Sequence, residues 1–314
     1  MTSRAHLPEP PIDLEHARAA LAWAVRISQD GRGAVLEPMA RPSNEAIRAL
    51  EPTEIRGGMD ALLLGKHPED GLDAGLEIGL LDCWLPEVAG MVGFGDGEWR
   101  HKDVWKHTKQ VVRQSVPRLP IRWGALLHDI GKPRTRKITA NNQVTFHGHA
   151  EVGASMFRRQ LSRRIPFEPE LYERVHYLIL HHLRASQYDG GWTDSAIRRF
   201  YKQMGDGLRD LLDLSRADIT TKRPERKRRG LRQISDLSKR IREIESEDAK
   251  IPPLPKGLGN LLMTEFGLRP SRLLGEIRKG LEAEVEGGEL EAGQDAPYYV
   301  AHVRANAARY GLPE

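Results

Sequence analysis

The sequence is poor in cysteine, in aromatic residues and in long apolar runs, and these shortages exclude several classes of protein. Cys83 is the only cysteine among 314 residues, so an intrachain disulfide and a cysteine-rich metal site are both excluded. No apolar stretch reaches the length of a bilayer-spanning helix. The first residues lack the apolar core of a secretory signal. Together these absences predict a cytoplasmic protein that is not embedded in a membrane.

Charge is abundant in the sequence. Charged residues make up 29% of the chain, and hydrophobic residues still make up 39%, which is enough for a globular core. The net charge is +4, and the densest basic run is Lys222–Arg229. That run could contact the phosphates of RNA or of a nucleotide. It could equally be a solvated helix start balanced by the acidic residues between 243 and 248.

Apolar residues recur at three- and four-residue spacing along most of the chain, which is typical of amphipathic helices. The clearest segments are 14–27, 54–64, 103–112, 153–161, 170–183 and 194–204. The best strand signal covers 137–146, where Asn141-Asn142 suits a hairpin turn. We therefore predict a mostly α fold in which this hairpin is an insertion between two motifs.

Breaks in the helical pattern divide the chain into three regions. The glycine-rich segment 93–97 is one break, and Pro252-Pro253-Leu254-Pro255 is another, because proline cannot continue a helix. We predict an N-terminal helical, neck-like region over 1–97, a histidine-rich helical core over 98–222 and a C-terminal helical region over 223–314.

Histidine is concentrated in the central region. Eight of the twelve histidines fall between His101 and His182. Neutral imidazole is the commonest metal ligand among side chains, so this clustering predicts a metal site. The candidate ligands come in order along the chain: His107, His128, Asp129, His149, His181, His182 and Asp218. The remaining three histidines of the cluster are interpreted as structural or supporting residues: His101, His147 and His176.

The ligand set is large enough for two divalent ions. The first ion has four candidate ligands: His107, His128, Asp129 and Asp218. The second shares Asp129 as a bridge and adds His149 with one or both of His181 and His182. Mixed nitrogen and oxygen ligands suit Mn, Fe, Co, Ni or Zn. Two such ions can clamp a phosphoryl group and activate water, and the ammonium of Lys132 would stabilise the developing charge.

The order and neighbours of these residues resemble the HD phosphohydrolase superfamily, whose name comes from the His-Asp pair. A nearer resemblance is to the HD domain of the bacterial tRNA nucleotidyltransferases (CCA-adding enzymes) and their poly(A) polymerase relatives. The segments that carry it are 102–108, 125–133, 146–154 and 217–220, with 79–87, 253–259 and 267–270 outside the core. The resemblance implies an HD-domain helical core over 98–222 with helical regions on either side.

The sequence also departs from that family. Its nucleotidyltransferase head uses a Gly-Gly or Gly-Ser turn followed by paired carboxylates. Here Gly57-Gly58 lies inside a helical pattern, and Met59-Asp60 follows without a second carboxylate. The Glu-Asp-x-x-Arg motif of the family's neck is matched only in part, by Glu15 and Arg18. We therefore expect this sequence not to add nucleotides to RNA.

The resemblance implies a metal-dependent phosphohydrolase or phosphodiesterase. Its substrates would be nucleotide or RNA-terminal phosphoesters, such as 2′,3′-cyclic phosphates. Asp129 and Lys132 would be the catalytic residues. Lys132, Arg134 and Arg136 would bind the substrate, and the Lys222–Arg229 run could help to hold an RNA.

Other functions fit parts of the same pattern. A nucleotide monophosphatase and an oxygenase with a di-iron pair could use a similar ligand set. An RNA-binding protein with a vestigial HD core is a further alternative. A vestigial core would have lost ligands, whereas all four ligands of the first ion are present, which favours the enzyme. No Gly-Tyr-Pro extension follows His182, which disfavours a cyclic-di-GMP hydrolase.

Overall fold

The computed structural model of this chain describes residues 13–35, 37–94, 103–248 and 253–312. Helices dominate these residues, and one two-stranded sheet accompanies them, which confirms the prediction of a mostly α fold. Two residues named in the sequence analysis, His101 and Pro252, lie outside the described residues. Within the described residues, no helix combines the length and the apolar character needed to cross a bilayer.

The chain forms two compact units. The first consists of Met1–Gln187 and Arg209–Leu231, and the second of Tyr188–Leu208 and Arg232–Glu314. All the predicted metal ligands belong to the first unit. The region boundaries predicted after residues 97 and 222 stay predictions.

The helices of both units follow one another with short connections. In chain order they are α1 (Leu14–Asp30), α2 (Asn44–Arg48), α3 (Pro52–Leu63), α4 (Pro68–Glu77), α5 (Leu80–Trp84), α6 (Pro86–Ala89), α7 (Val104–Gln114), α8 (Leu119–Leu127), α9 (Lys132–Thr135), α10 (His149–Met156), α11 (Ser162–Arg164), α12 (Pro169–His181), α13 (Asp194–Met204), α14 (Leu208–Ala217), α15 (Pro224–Asp248), α16 (Leu258–Phe266), α17 (Arg272–Gly287) and α18 (Ala296–Ala305). A π-helical segment, Phe157–Leu161, joins α10 to α11.

Local signals explain where several of these helices begin. The carboxylate of Asp13 caps α1 by accepting a hydrogen bond from the His16 amide, and Thr193 caps α13 in the same way. The helix predicted over 153–161 differs from the observed one, since α10 already begins at His149. Gly148 precedes it with a φ of 77°, a left-handed conformation that glycine adopts without a steric penalty.

The first unit is built around α8 and α12, which pack against each other. Trp123, Leu126 and Leu127 of α8 are completely buried. A Cβ atom at Gly124 would lie 2.9 Å from Leu178 Cδ1, so glycine at this position lets the two helices approach closely. The close packing matters for function because α8 ends at the residue before His128, and α12 ends at the residue before His182.

A β-hairpin separates α9 from α10. Strands β1 (Lys137–Ile138) and β2 (Val144–Thr145) pair antiparallel, with Lys137 opposite Thr145 and Ile138 opposite Val144. Asn142 in the turn has a φ of 54°, a conformation that asparagine tolerates better than most residues. The hairpin predicted between the two motifs is therefore confirmed.

The second unit has an apolar core of its own. Tyr299 is its largest fully buried side chain, and its hydroxyl donates a hydrogen bond to the Glu291 carbonyl oxygen at 2.8 Å. The core residues come mainly from α16, α17 and α18, and they are Leu254, Leu258, Leu262, Ile277, Leu281, Val285, Leu290, Tyr299, Val300, Val303, Tyr310 and Leu312.

Candidate metal centre

Six of the seven predicted ligands converge at one place in the first unit. They come from five parts of the chain that helix packing brings together: His107 on α7, His128 and Asp129 after α8, His149 at the start of α10, His182 after α12 and Asp218 after α14. Most of these residues stand at helix ends, where a side chain can point inward while the helix fixes its backbone.

One oxygen of Asp129 faces two histidines and a second carboxylate. Asp129 Oδ2 lies 3.2 Å from His128 Nε2 and 3.5 Å from His107 Nε2. The two imidazole nitrogens are 3.3 Å apart, and His107 Nε2 is 3.0 Å from Asp218 Oδ1. We call these four residues the Asp218 half of the centre.

The other oxygen of Asp129 faces a second pair of histidines. Asp129 Oδ1 lies 3.4 Å from His149 Nε2 and 3.9 Å from His182 Nε2. The two imidazole nitrogens are 3.1 Å apart. We call Asp129, His149 and His182 the His182 half of the centre. Asp129 therefore presents one oxygen to each half, and its own side chain is only 1% exposed.

Main-chain carbonyl groups orient three of the histidines. In each case Nδ1 lies 2.8 Å from the carbonyl oxygen three residues earlier in the chain. The bonds join His128 to Ala125, His149 to Phe146 and His182 to Ile179. A carbonyl oxygen only accepts hydrogen bonds, so Nδ1 carries the proton and Nε2 keeps a free lone pair. All three Nε2 atoms thus point into the centre in the form that a metal ion requires.

His107 is oriented differently, by a side chain. Its Nδ1 lies 2.9 Å from Thr220 Oγ1, two residues after the ligand Asp218. The sequence analysis assigned no role to Thr220, although it lies in the 217–220 segment that resembles the HD family. A buried threonine shortly after a candidate carboxylate ligand is the signal that could have identified it.

Burial and charge together set the protonation of the centre. Burial opposes the charge on Asp129, but the adjacent His128 and a hydrogen bond from His149 keep the pKa of Asp129 well below its usual value. Burial also opposes the charge on Asp218, yet the hydrogen bond from His107 lowers the pKa of Asp218 to about 2. Both carboxylates are therefore ionised at neutral pH.

The two buried histidines behave differently from each other. Burial lowers the pKa of His182 to about 4, so this imidazole is neutral and ready to act as a ligand. Burial acts in the same direction on His128, but the Asp129 carboxylate outweighs it and raises the pKa of His128. The site of His128 thus favours positive charge, which a metal cation would supply in place of the proton.

The three predicted substrate-binding cations occupy different surroundings. Lys132 Nζ lies 2.5 Å from Asp129 Oδ2, so its ammonium stands at the centre. The Arg136 guanidinium lies 5.9 Å from the centroid of the Phe94 ring. Arg134 hydrogen-bonds Gln160 at 3.4 Å and lines a cavity of about 210 Å³ whose lining includes none of the predicted ligands. The structure therefore brings Lys132 to the centre and places Arg134 apart from it.

His181 is the predicted ligand that stays outside both halves. Its ring packs against Tyr177, with 4.7 Å between ring centroids. Successive residues of a helix point about 100° apart, so His181 and His182 cannot face the same centre. The other interpretations hold their place: His147 is exposed, and His176 stacks on Tyr172.

Gly131 allows the motif after α8 to approach α10. A Cβ atom at this position would lie 2.1 Å from the His149 carbonyl oxygen and 2.8 Å from the Gly153 amide nitrogen. Both contacts are with main-chain atoms, which a side-chain rotation cannot relieve. Glycine therefore sets the spacing between Asp129 and His149.

The donor set fits divalent metal ions. Two groups of three ligands have donor atoms within 4.8 Å of one another: His107, His128 and Asp129 in one, and Asp129, His149 and His182 in the other. Imidazole nitrogen with carboxylate oxygen is the combination that borderline divalent ions prefer.

The same part of the chain matches a known family. Residues 104–223 match the HD domain family, which points to the superfamily of metal-dependent phosphohydrolases. This match covers every residue of both halves of the centre.

Curated relatives extend the similarity beyond this domain. The chain is 30% identical over 254 residues to the A-adding tRNA nucleotidyltransferase of Deinococcus radiodurans, covering 78% of this chain and 57% of the relative. It is 33% identical over 251 residues to the CC-adding tRNA nucleotidyltransferase of Thermus thermophilus, covering 77% and 54%. The chain thus spans about half the length of these relatives. The resemblance inferred from the motifs is confirmed: the chain carries an HD domain within a sequence similar to the tRNA nucleotidyltransferases.

Proposed function

We propose that this protein is a metal-dependent phosphohydrolase or phosphodiesterase with a two-ion centre. The observation that carries the proposal is the position of Asp129, whose two oxygens face two separate sets of imidazole nitrogens. A carboxylate in this position can bridge two ions. When bound, a pair of divalent ions supplies polarisation of the phosphoryl group and activation of water.

The residues around the ligands support phosphoester chemistry. Lys132 places an ammonium within hydrogen-bonding distance of the bridging carboxylate. Once cations neutralise Asp129, this ammonium is available to a phosphate oxygen and stabilises negative charge that develops there. Asp218 is 30% exposed, so the Asp218 half is the side of the centre that a substrate reaches from solvent.

An RNA end is the substrate class that we propose. The basic run Lys222–Arg229 begins two residues after Thr220, and its side chains are exposed. A cluster of cations so close in sequence to a ligand-orienting residue would hold the phosphates of a polynucleotide near the centre. The printed names of the relatives also refer to tRNA. We therefore infer that nucleotide or RNA-terminal phosphoesters, including 2′,3′-cyclic phosphates, are hydrolysed here.

The first experiment joins metal analysis to a substrate panel. The purified chain, loaded separately with Mn, Fe, Co, Ni or Zn, is incubated with 2′,3′-cyclic AMP, 2′-AMP, 3′-AMP and short RNAs that end in a cyclic phosphate. We expect about two ions per chain and hydrolysis that a chelator abolishes. His147→Ala is the control variant because His147 is exposed and outside both halves.

Two outcomes would contradict the proposal. A chain that binds no divalent ion would exclude the metal centre. A fully metal-loaded chain that binds RNA and hydrolyses no phosphoester of the panel would instead support the alternative of an RNA-binding protein with a vestigial core.

A further inference from the structure

Two partly exposed phenylalanine rings lie beside the metal centre. The rings of Phe94 and Phe146 are 6.2 Å apart between centroids and inclined by 59°. Both side chains are only partly buried, in contrast to Trp123 and Phe157 of the core, which are completely buried. Packing the core therefore does not account for these rings.

Each ring has a cation over it. Lys132 Nζ lies 5.7 Å from the centroid of Phe146, and the Arg136 guanidinium lies 5.9 Å from the centroid of Phe94. The same Lys132 Nζ is 2.5 Å from the bridging oxygen of Asp129. One ammonium group thus links the aromatic surface directly to the centre of the proposed chemistry. We call Phe94, Lys132, Arg136 and Phe146 the aromatic wall.

The fold fixes the aromatic wall against the ligands. The carbonyl of Phe146 accepts the hydrogen bond that orients His149, so the backbone that carries this ring is tied to a ligand. The hairpin holds the wall at its base: strand pairing of Lys137 with Thr145, continued by one residue, places Arg136 opposite Phe146. The ring of Phe146 can change without altering the bond to His149, because that bond uses a main-chain oxygen.

We propose that the aromatic wall binds the base of a nucleotide whose phosphate lies at the metal centre. A flat apolar ring next to a cation is the combination that proteins use to stack unpaired bases and to hold the adjoining phosphate. A phosphoester without a base leaves the rings uncovered. The wall therefore selects nucleotides and RNA ends over small phosphate esters. This inference rests on the proposed function, because it places the substrate's phosphate at the metal centre.

The test is a ratio between matched substrates. The activity, as kcat/KM, is measured for 2′,3′-cyclic AMP and for a methyl riboside 2,3-cyclic phosphate, which lacks the base. We expect Phe146→Ala to lower the ratio of the two by about 5- to 100-fold, the loss typical of one base–aromatic stack. Phe146→Trp should restore the ratio, since it restores a ring. Phe146→Leu should not, although it keeps apolar bulk.

A matched control lies on the same hairpin. Ile138 is 60% exposed and belongs to β1, so Ile138→Ala removes apolar surface near the centre without changing the aromatic wall. We expect this variant to keep the wild-type ratio. If Phe146→Ala slows both substrates equally, the ring only supports His149, and the base-binding inference is wrong.

A binding measurement separates this inference from the proposed function. Calorimetry compares AMP with ribose 5-phosphate on the Mn-loaded full chain. Tighter binding of AMP that is lost in Phe146→Ala supports the aromatic wall even if no phosphoester is hydrolysed, in which case only the hydrolase proposal fails. Equal binding of both compounds by the wild-type chain overturns the aromatic wall and leaves the hydrolase proposal to its own test.

Discussion

The two halves of the metal centre share one carboxylate and differ in almost everything else. The Asp218 half has two carboxylates, and its His107 and Asp218 side chains are 12% and 30% exposed. The His182 half has only Asp129 as a carboxylate, and the His182 side chain is 2% exposed. The more negative half is thus the one that solvent reaches. We expect it to exchange its ion and to receive the substrate, while the buried half holds its ion in place.

The halves also differ in how their histidines are held. Both histidines of the His182 half are oriented by main-chain carbonyls, which no side-chain substitution removes. In the Asp218 half, His107 depends on the hydroxyl of Thr220. Substitutions can therefore weaken the orientation of one half selectively, and the following experiments use this difference.

The largest effect is expected from Asp129→Asn, because Asp129 serves both halves. The substitution keeps the size of the side chain and removes the charge that bridges the ions. We expect the metal content to fall for both ions and phosphoester hydrolysis to fall by more than about 10³-fold, since metal ions contribute several kcal/mol to such reactions. Elemental analysis and initial rates measure the two losses. Two retained ions with full activity would rule out a bridging role.

Removing one histidine from each half should separate the two ions. We expect His107→Ala to lose the ion of the Asp218 half and His182→Ala to lose the ion of the His182 half. Each variant then retains about one ion per chain. Titration with Mn or Co, followed by calorimetry, counts the remaining sites. If either variant loses both ions at once, the halves are not independent sites and their comparison breaks down.

Gly131→Ala should damage the His182 half in preference to the other. The added methyl group meets the His149 carbonyl oxygen, and the backbone must move to accommodate it. Overpacking of this kind typically costs about 1–3 kcal/mol of stability. Thermal unfolding measures the loss, and metal titration should show weaker binding mainly in the His182 half. Gly33→Ala is a suitable control because a Cβ atom there has no neighbour within 4 Å.

Thr220→Val should weaken only the Asp218 half. Valine keeps the shape of threonine but lacks the hydroxyl that orients His107. Loss of such an orienting group typically lowers metal affinity by about 10- to 100-fold. Thr220→Ser retains the hydroxyl and should bind metal nearly as well as the wild-type chain. Weaker binding in the serine variant equal to that in the valine variant would assign Thr220 a packing role instead.

The smallest effect is expected from His181→Ala. His181 packs against Tyr177 and lies outside both halves, although its neighbour in the sequence is a ligand. We expect metal content and affinity to stay within about twofold of the wild-type values, which is smaller than the effect of losing an orienting group. A loss of one ion in this variant would mean that the His182 half uses His181 as well, as the sequence allowed.

Much of the fold could be predicted because its signals are local. The α13 helix matches its predicted range, and the turn at Asn142 was visible as a pair of asparagines. The start of α10 could not be predicted in the same way. It depends on Gly148 adopting a left-handed conformation next to a ligand, and the apolar pattern begins only several residues later.

The sequence by itself determined the chemistry of the centre, because the residue types and their order along the chain leave few alternatives to a histidine–carboxylate metal site. Only the tertiary structure decided how those residues divide into two halves. That division depends on which way each side chain points, as the neighbours His181 and His182 show. It also depends on contacts between distant segments: Gly131 against His149, His107 with Thr220, and the two rings beside Lys132. Sequence spacing cannot reveal such contacts, because packing alone brings those segments together.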